Sequence, residues 1–534
     1  MAIKNISFAT LALYVVLALT TWQLHHVAGA RILALFPTTL RSHQLMNCAV
    51  ADALAVAGHN VTVLGATQNV YPRAKYRYIR IDGPLIGDKV TKEIINVPGI
   101  VPQRFAAIGV LQPFLRTHNA TLAQPKMRAF LKASHADDYD LLLLTYMVND
   151  FHLGLAAHFR CPIVLFHVTD AMHRVHKWLA NPSEFAYVPM ALSGLVQPLD
   201  FRRRVLNFLW YLIEGVLVEG LLDGFVEKYY NYNFPPDRYP PLEEVRKNVS
   251  LVFTNHHFSQ GPIRPNVPNL IEIGGIQIKE KPDPLPADIA KILDEAKEGA
   301  IYFSLGTNIH GSHLTDEKLK IMFNVVSKLP YKVLWKWNDS ERPGQADNII
   351  YREWLPQDDI LAHPNIKLFL THGGMGSVVE SQYHGVPMVG IPLFGDQPSN
   401  MANVERSGYG LSVDYITLTE ESLSTAVQEV LNNPKYRKTV QDFSRLYRDR
   451  PMTPRETVVY WVDYVLRHNG AKHMQSPAVH MNRWQLMSLD VIGFLLAIVV
   501  AVVAVLVKIC RLLCCRGKKE KLADVKVKKS KKNK

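Results

Sequence analysis

The sequence predicts an α/β protein with two doubly wound parallel-sheet domains facing across a cleft and one C-terminal transmembrane helix. Three observations predict it. Strand-like and helix-like segments alternate in two blocks. A Pro- and charge-rich segment, Lys279–Pro286 (KEKPDPLP), parts the blocks. An uncharged apolar run, Val491–Val507, lies near the end of the chain.

Residues 1–30 read as a signal peptide, with Lys4, an apolar stretch and Ala28-Gly29-Ala30 before Arg31. An uncleaved anchor is the alternative. An acceptor-side domain then spans 31–283. It opens with a strand, Arg31–Phe36, and a helix, about His43–Ala57, whose apolar Leu45, Val50, Leu54 and Val56 precede the stop at Gly58. The strand Asn60–Leu64 completes a β-α-β unit, the seed of a parallel sheet. Asp140–Leu144 and Ile163–Phe166 are further strands, joined by a helix over Asp150–Phe159. The aromatic, Leu- and Pro-rich stretch 171–246 reads as helices and loops that cover an apolar cavity or touch a membrane.

The second domain spans 284–450. Its strands are Ala300–Leu305, Lys332–Trp335, Ile349–Tyr351, Lys367–Leu370 and Met388–Gly390, with helices near 315–329, 376–384, 398–407, 420–432 and 434–448. A helical return segment, 451–486, leads to a transmembrane helix, 487–508, and a basic tail, 509–534. The apolar run is ~26 Å long as a helix, close to the roughly 27 Å hydrocarbon thickness of the endoplasmic reticulum bilayer.

The formal charge of +13 invites a nucleic-acid reading. After Val507, however, twelve Lys or Arg face only Glu520 and Asp524, a net of +10, which leaves +3 for the rest of the chain. A nucleic-acid binder spreads its basic groups over a folded face, so that class is excluded. The tail should stay cytosolic and the body lumenal. Of five cysteines, only Cys48 and Cys161 lie in the body, so no disulfide framework is expected, and no Cys/His spacing suggests a metal site. Cys510, Cys514 and Cys515 are juxtamembrane, open to acylation or simple apolar filling.

The chemistry concentrates in Trp354-Leu-Pro-Gln357 and in the stretch from Phe369-Leu-Thr-His372-Gly-Gly-Met-Gly-Ser377 through Glu380 to Asp396-Gln397. An apolar strand ends at Thr371, and a Gly-rich turn enters a helix. Glycines let backbone amides approach an anion, and the helix N-terminus adds about half a positive charge. Asp396 and Gln397 follow the next strand, where sugar hydroxyls need partners.

This ordered set resembles the signature of the UDP-glycosyltransferase family, whose animal branch includes the microsomal UDP-glucuronosyltransferases. The resemblance extends to Phe303-Ser-Leu-Gly306, Tyr460-Trp461 and the segment before the basic tail. It implies a GT-B fold, a UDP-sugar donor held by the second domain and a small lipophilic acceptor held by the first. By position, Trp354 would stack on uracil and Gln357 would bond its edge. His372 and the amides around Gly374, Gly376 and Ser377 would hold the diphosphate, with Ser304 and Thr307 facing it. Glu380 would bind ribose, and Asp396 and Gln397 the transferred sugar. Gly376 departs from the Asn common in vertebrate members.

The family places a catalytic base at Ser42-His43. Read without the family, His43 is a first-turn residue behind an N-cap Ser42. A carboxylate should orient the imidazole. The vertebrate Asp position holds Thr145 here, so Asp150 is the chosen partner, with a plain N-cap role or an aspartate-free base as alternatives. The implied reaction is an inverting transfer of glucuronosyl or glucosyl to a hydroxyl, with no metal and no cofactor beyond the donor. Membrane lipid is a further partner, a homo-oligomer is left open, and nucleic acid is excluded. Other functional classes are transfer to a membrane lipid and a non-catalytic binder of UDP-sugar or lipophile on the same fold. The terminal Lys531-Lys532-Asn533-Lys534 resembles a dilysine retrieval signal, which implies an endoplasmic reticulum membrane protein of type I topology; a plain stop-transfer run is the alternative.

Overall fold

The computed structural model describes residues 29–71, 74–83, 88–96, 115–190 and 193–532. The signal segment, apart from its last two residues, lies outside them. The chain divides into two compact units between Gln475 and Ser476.

The first unit holds two parallel sheets. The first sheet has the order β3-β2-β1-β4-β5-β6-β7. Its strands are β1 (Arg31–Phe36), β2 (Asn60–Gly65), β3 (Arg77–Arg80), β4 (Leu141–Thr145), β5 (Ile163–His167), β6 (Val249–Thr254) and β7 (Leu270–Glu272). The second sheet has the order β10-β9-β8-β11-β12-β13. It comprises β8 (Ala300–Ser304), β9 (Lys332–Lys336), β10 (Ile349–Arg352), β11 (Ile366–Thr371), β12 (Met388–Gly390) and β13 (Gly410–Ser412). In each sheet the strand order reverses once, between β1 and β4 and between β8 and β11. A doubly wound sheet binds ligands at that switch point, outside the carboxyl ends of the strands.

Both faces of each sheet are buried, which is why its strands read as unbroken apolar runs. On β1, Leu33 and Leu35 join Leu142, Leu144 and Leu165 on one face. Ile32, Ala34 and Phe36 join Val61, Val63 and Leu143 on the other. Fully burying each such side chain stabilises by about 1.5–3 kcal/mol. In the second sheet, Phe303 and Leu370 face one core and Tyr302 and Phe369 the other.

Four helices matter for the site and its support: α1 (Arg41–Val56), α2 (Met375–His384), α3 (Gln397–Ser407) and α4 (Pro454–Arg467). After the second sheet the chain returns to the first. Helix α4 buries Val458, Val462 and Val465 in the same core as β1 and α1. Arg455 pairs with Asp52 at 2.9 Å, and His59 lies 3.3 Å from Asp463.

The stretch 171–246 is helical at His173–Trp178, Phe201–Leu212, Glu219–Asn233 and Leu242–Lys247. Phe201–Leu212 is fixed by buried Asn207, whose amide donates to the carbonyls of Phe185 and Val188, both at 2.8 Å. Its other side exposes Phe201, Val205, Phe208, Leu209 and Leu212.

The second unit carries a long helix, α5 (Leu489–Lys532). Its part Leu489–Leu512 is long and apolar enough to cross a membrane and has no buried share; Phe201–Asn233 passes the same test of length and composition but is 20% buried. The tail read as following the span continues the same helix.

Candidate active site

On the acceptor side, β1 ends at Phe36 and the chain turns into α1. The helix begins at Arg41 behind Leu40, with no side-chain cap. Ser42 is therefore inside the helix and is not its N-cap, which corrects the simpler reading of this motif. Gln44 ties the turn down by donating to the carbonyls of Phe36 at 3.1 Å and Thr38 at 2.7 Å. That places His43 in the first helical turn, at the switch point. Burial, with His167 and His118 adding to it, lowers the His43 pKa to about 4. The ring is neutral at pH 7 and free to take a proton.

Asp150 is not brought to His43, and this corrects the expected pairing. Its carboxylate is fully buried and meets Arg174 at 3.0 and 2.6 Å, Arg246 at 3.0 and 2.6 Å, and the Tyr146 hydroxyl at 3.0 Å. A buried carboxylate needs compensating charge, and two guanidinium groups on 171–246 supply it. Burial alone would raise its pKa, but Arg174 and Arg246 outweigh that and hold it below the usual range. Asp150 is also no N-cap: Asn149 flanks the 3-10 turn Asp150–Leu153, without a side-chain cap. Thr145 donates to Asn47 Oδ1 at 2.7 Å.

On the donor side, His372 sits in a slot between two glycines. A Cβ on Gly306 would come within 2.7 Å of its ring, and one on Gly374 within 2.6 Å. Gly306 and Gly373 have φ of +88° and +76°, conformations that glycine adopts without strain. Gly374 is the N-cap of α2 and offers no side chain. The amides of the first turn thus lack helical partners; that of Met375 meets the Asp396 carboxylate, and the others can donate to an anion. Burial, then Lys336, lowers the His372 pKa to about 4, so it is a neutral hydrogen-bonding group at this point. A Cβ on Gly376 would lie 3.0 Å from the Met46 methyl of α1, so an Asn there would press on the other lobe.

Gln357, Ser377 and Glu380 form one network. Gln357 Nε2 donates to Ser377 Oγ at 3.2 Å and to Glu380 Oε2 at 2.6 Å. Burial, then the nearby Asp358, raises the Glu380 pKa to about 8. Trp354 is 43% exposed, and the Arg41 guanidinium of α1 lies 4.0 Å over its ring. Farther along, Asn400 of α3 donates to Asp396 Oδ2 at 2.7 Å and to the Gly373 carbonyl at 3.0 Å, tying the Asp396 loop to the glycine turn. Gln397 Oε1 accepts from the amides of Leu393 and Phe394, at 2.8 and 3.1 Å, and neither bond uses its amide nitrogen. Ser304 Oγ accepts from the Gly306 amide at 3.3 Å, and Thr307 Oγ1 is buried with no partner.

Sequence reasoning missed Lys336. It ends β9, is 9% exposed, and donates to the Gly306 carbonyl at 2.9 Å. Its Nζ is 5.9 Å from the Trp354 ring, and burial, then Arg41, lowers its pKa to about 8. A lysine directly after an apolar strand of a doubly wound sheet was the available signal. Also missed was Gln277, whose Nε2 approaches Glu380 at 3.5 Å and whose Oε1 is buried without a partner. Among the described residues, no three His, Cys, Asp or Glu converge as metal ligands.

The family described as UDP-glucoronosyl and UDP-glucosyl transferase matches residues 33–523. UDP-glycosyltransferase UGT5 of Dactylopius coccus is 33% identical over 491 residues, covering 89% of this chain and 90% of that protein. UDP-glucuronosyltransferase 2A3 of Mus musculus is 34% identical over 490 residues, covering 89% and 90%. The crystal structure of the glycotransferase of kitacinnamycin aligns with a TM-score of 0.55 at 18% identity, over 83% of this chain and 99% of that one, which gives the GT-B fold. With two facing parallel sheets and a Gly-slotted histidine at the donor switch point, the chain belongs to the UDP-glucuronosyl and UDP-glucosyl transferase family and is a UDP-glycosyltransferase.

Proposed function

We propose that this enzyme transfers glucuronosyl or glucosyl from a UDP-sugar to a hydroxyl of a small lipophilic acceptor, with inversion and with His43 as base. One observation carries the reading: Arg41, two residues before His43, lies over the Trp354 ring. The helix that bears the base and the platform for the nucleotide thus line one site. The acceptor oxygen attacks the anomeric carbon as His43 takes its proton, and UDP leaves from the opposite face. The diphosphate charge is met by the α2 amides, neutral His372 and Lys336; the reading invokes no metal. The body would be lumenal and anchored by Leu489–Leu512 in the endoplasmic reticulum membrane. Membranes bearing the enzyme, given UDP-glucuronate or UDP-glucose with one phenol, test it. Inverted glycoside from either donor supports the reading, and UDP-sugar binding without product sinks it.

Two results should follow. Lys336→Met should raise KM for the donor roughly 10- to 100-fold, the loss of one charge-assisted bond, with KM for the acceptor little changed in initial-rate assays. The second concerns Glu380, which holds its proton near pH 7 in the free enzyme. Ribose hydroxyls that donate to its carboxylate favour the ionised form. UDP binding near pH 7 should therefore release a proton, and UDP affinity should rise with pH up to about 8. Calorimetry in two buffers of different ionisation heat reads the release, and Glu380→Gln should abolish it.

A further inference from the structure

Among the described residues, the imidazole assigned as base has no hydrogen-bond partner at Nδ1 to share its charge. His43 Nδ1 is buried and makes no hydrogen bond. One helical turn on, on the same face of α1, Asn47 Nδ2 is likewise buried and unbonded, while its Oδ1 accepts from Thr145. The titratable groups that bear on His43 are two more imidazoles, His167 and His118. Of these, His167 meets Thr169 at 3.2 Å through Nδ1, and its Nε2 is buried without a partner. Two buried carboxylates of this lobe are spent elsewhere. Asp150 belongs to Arg174 and Arg246, and Asp170 lies 3.6 Å from Arg264.

When Nε2 takes a proton, both ring nitrogens carry hydrogen and both need acceptors. Nδ1–H would then stand in a buried place with no acceptor, beside an amide donor and other imidazoles. A buried, unpaired cation is costly. A base of this kind gains little from a full proton transfer, and general-base efficiency follows the match between base and acid. A phenol, with a pKa of about 10 like tyrosine, asks far less of it than an aliphatic alcohol, whose pKa of ~16 is near that of water.

We infer that the acceptors are acidic hydroxyls, phenols and enols, and that aliphatic alcohols of equal size are poor substrates. The inference rests on the reading of His43 as base. In the step, the acceptor O–H bond breaks and its proton passes to His43 Nε2. The oxygen bonds the anomeric carbon, and the bond from that carbon to UDP breaks with its electron pair leaving on UDP. The depressed basicity of His43, set by burial and the two histidines, agrees with this.

The test uses the full-length enzyme in membranes and size-matched pairs: phenol with benzyl alcohol, and naphthol with naphthylmethanol. The phenolic member of each pair should have kcat/KM at least ~100-fold higher, within the range general-base catalysis supplies. Equal values would overturn the inference. Asn47→Asp, which keeps the Thr145 bond and puts a carboxylate one turn from His43, should narrow the ratio ~10-fold or more. A folded, UDP-binding Asn47→Asp enzyme with the wild-type ratio would also overturn it. His43→Ala separates the two claims. If it still transfers to phenols, the base assignment has failed; if it is inactive while the wild type takes alcohols as well as phenols, only the acceptor inference has.

Discussion

Changing His43 to Ala lowers kcat by roughly 10²- to 10⁴-fold, the range that a positioned general base supplies, while UDP still binds with near wild-type affinity. The separation follows from the architecture. His43 rides on α1 of the first sheet, whereas Trp354, Gln357, His372 and Glu380 belong to the second. The side chain is in the first turn, and the turn is held by Gln44, not by His43. Removing the imidazole also removes a buried nitrogen that has no partner, so the fold loses no hydrogen bond there. Single-turnover product formation and UDP titration on one preparation check the two halves of the result. Near-normal turnover would remove His43 from the chemistry.

The second large effect is structural. Asp150→Ala costs about 3–5 kcal/mol of stability, the usual penalty for stripping one partner from a buried ion pair. Arg174 and Arg246 are 5% and 11% exposed in their side chains, and Asp223, 43% exposed, would be the carboxylate left between them. Tyr146 would lose its acceptor as well. The linkage has a definite sign. The two arginines hold the Asp150 pKa below its unfolded value of about 3.9. Its contribution is therefore present above that value and lost as pH falls through the folded pKa. At neutral pH the variant's deficit should be constant. Thermal melting of wild type and variant at pH 6 and 8 measures it. A residue that merely oriented His43 would instead cut kcat and leave melting unchanged.

Much of the fold is legible because both sheets are covered on both faces. Leu141–Leu144 and Phe369–Leu370 announce themselves as apolar runs, and the glycines at 373, 374 and 376 mark the turn into α2. Three of the four edge strands do not announce themselves. Leu270–Glu272 and Gly410–Ser412 have three residues each, too few for any period, and β3 (Arg77–Arg80) carries arginine at both ends. Strand β6 was hidden for another reason: Val249–Thr254 follows the Pro- and aromatic-rich stretch with no turn signal between. In the site, residues that act through backbone placement were readable from glycine spacing. Asp150 was not, because its partners Arg174 and Arg246 lie 24 and 96 positions away. Lys336 escaped because its one signal, a lysine closing an apolar strand, is shared with any solvated strand end.

The return of α4 has a topological consequence. The core of the first sheet is completed by Val458, Val462 and Val465, which come after the whole donor lobe. In chain order the donor lobe is a guest inserted into a host, not the second of two beads on a string. Ancestry and engineering inherit that fact. Recombination at Lys279–Pro286 alone would sever the host from its closing helix. A hybrid that gives this acceptor lobe a foreign donor lobe must cross over twice, once at that linker and again before Pro454.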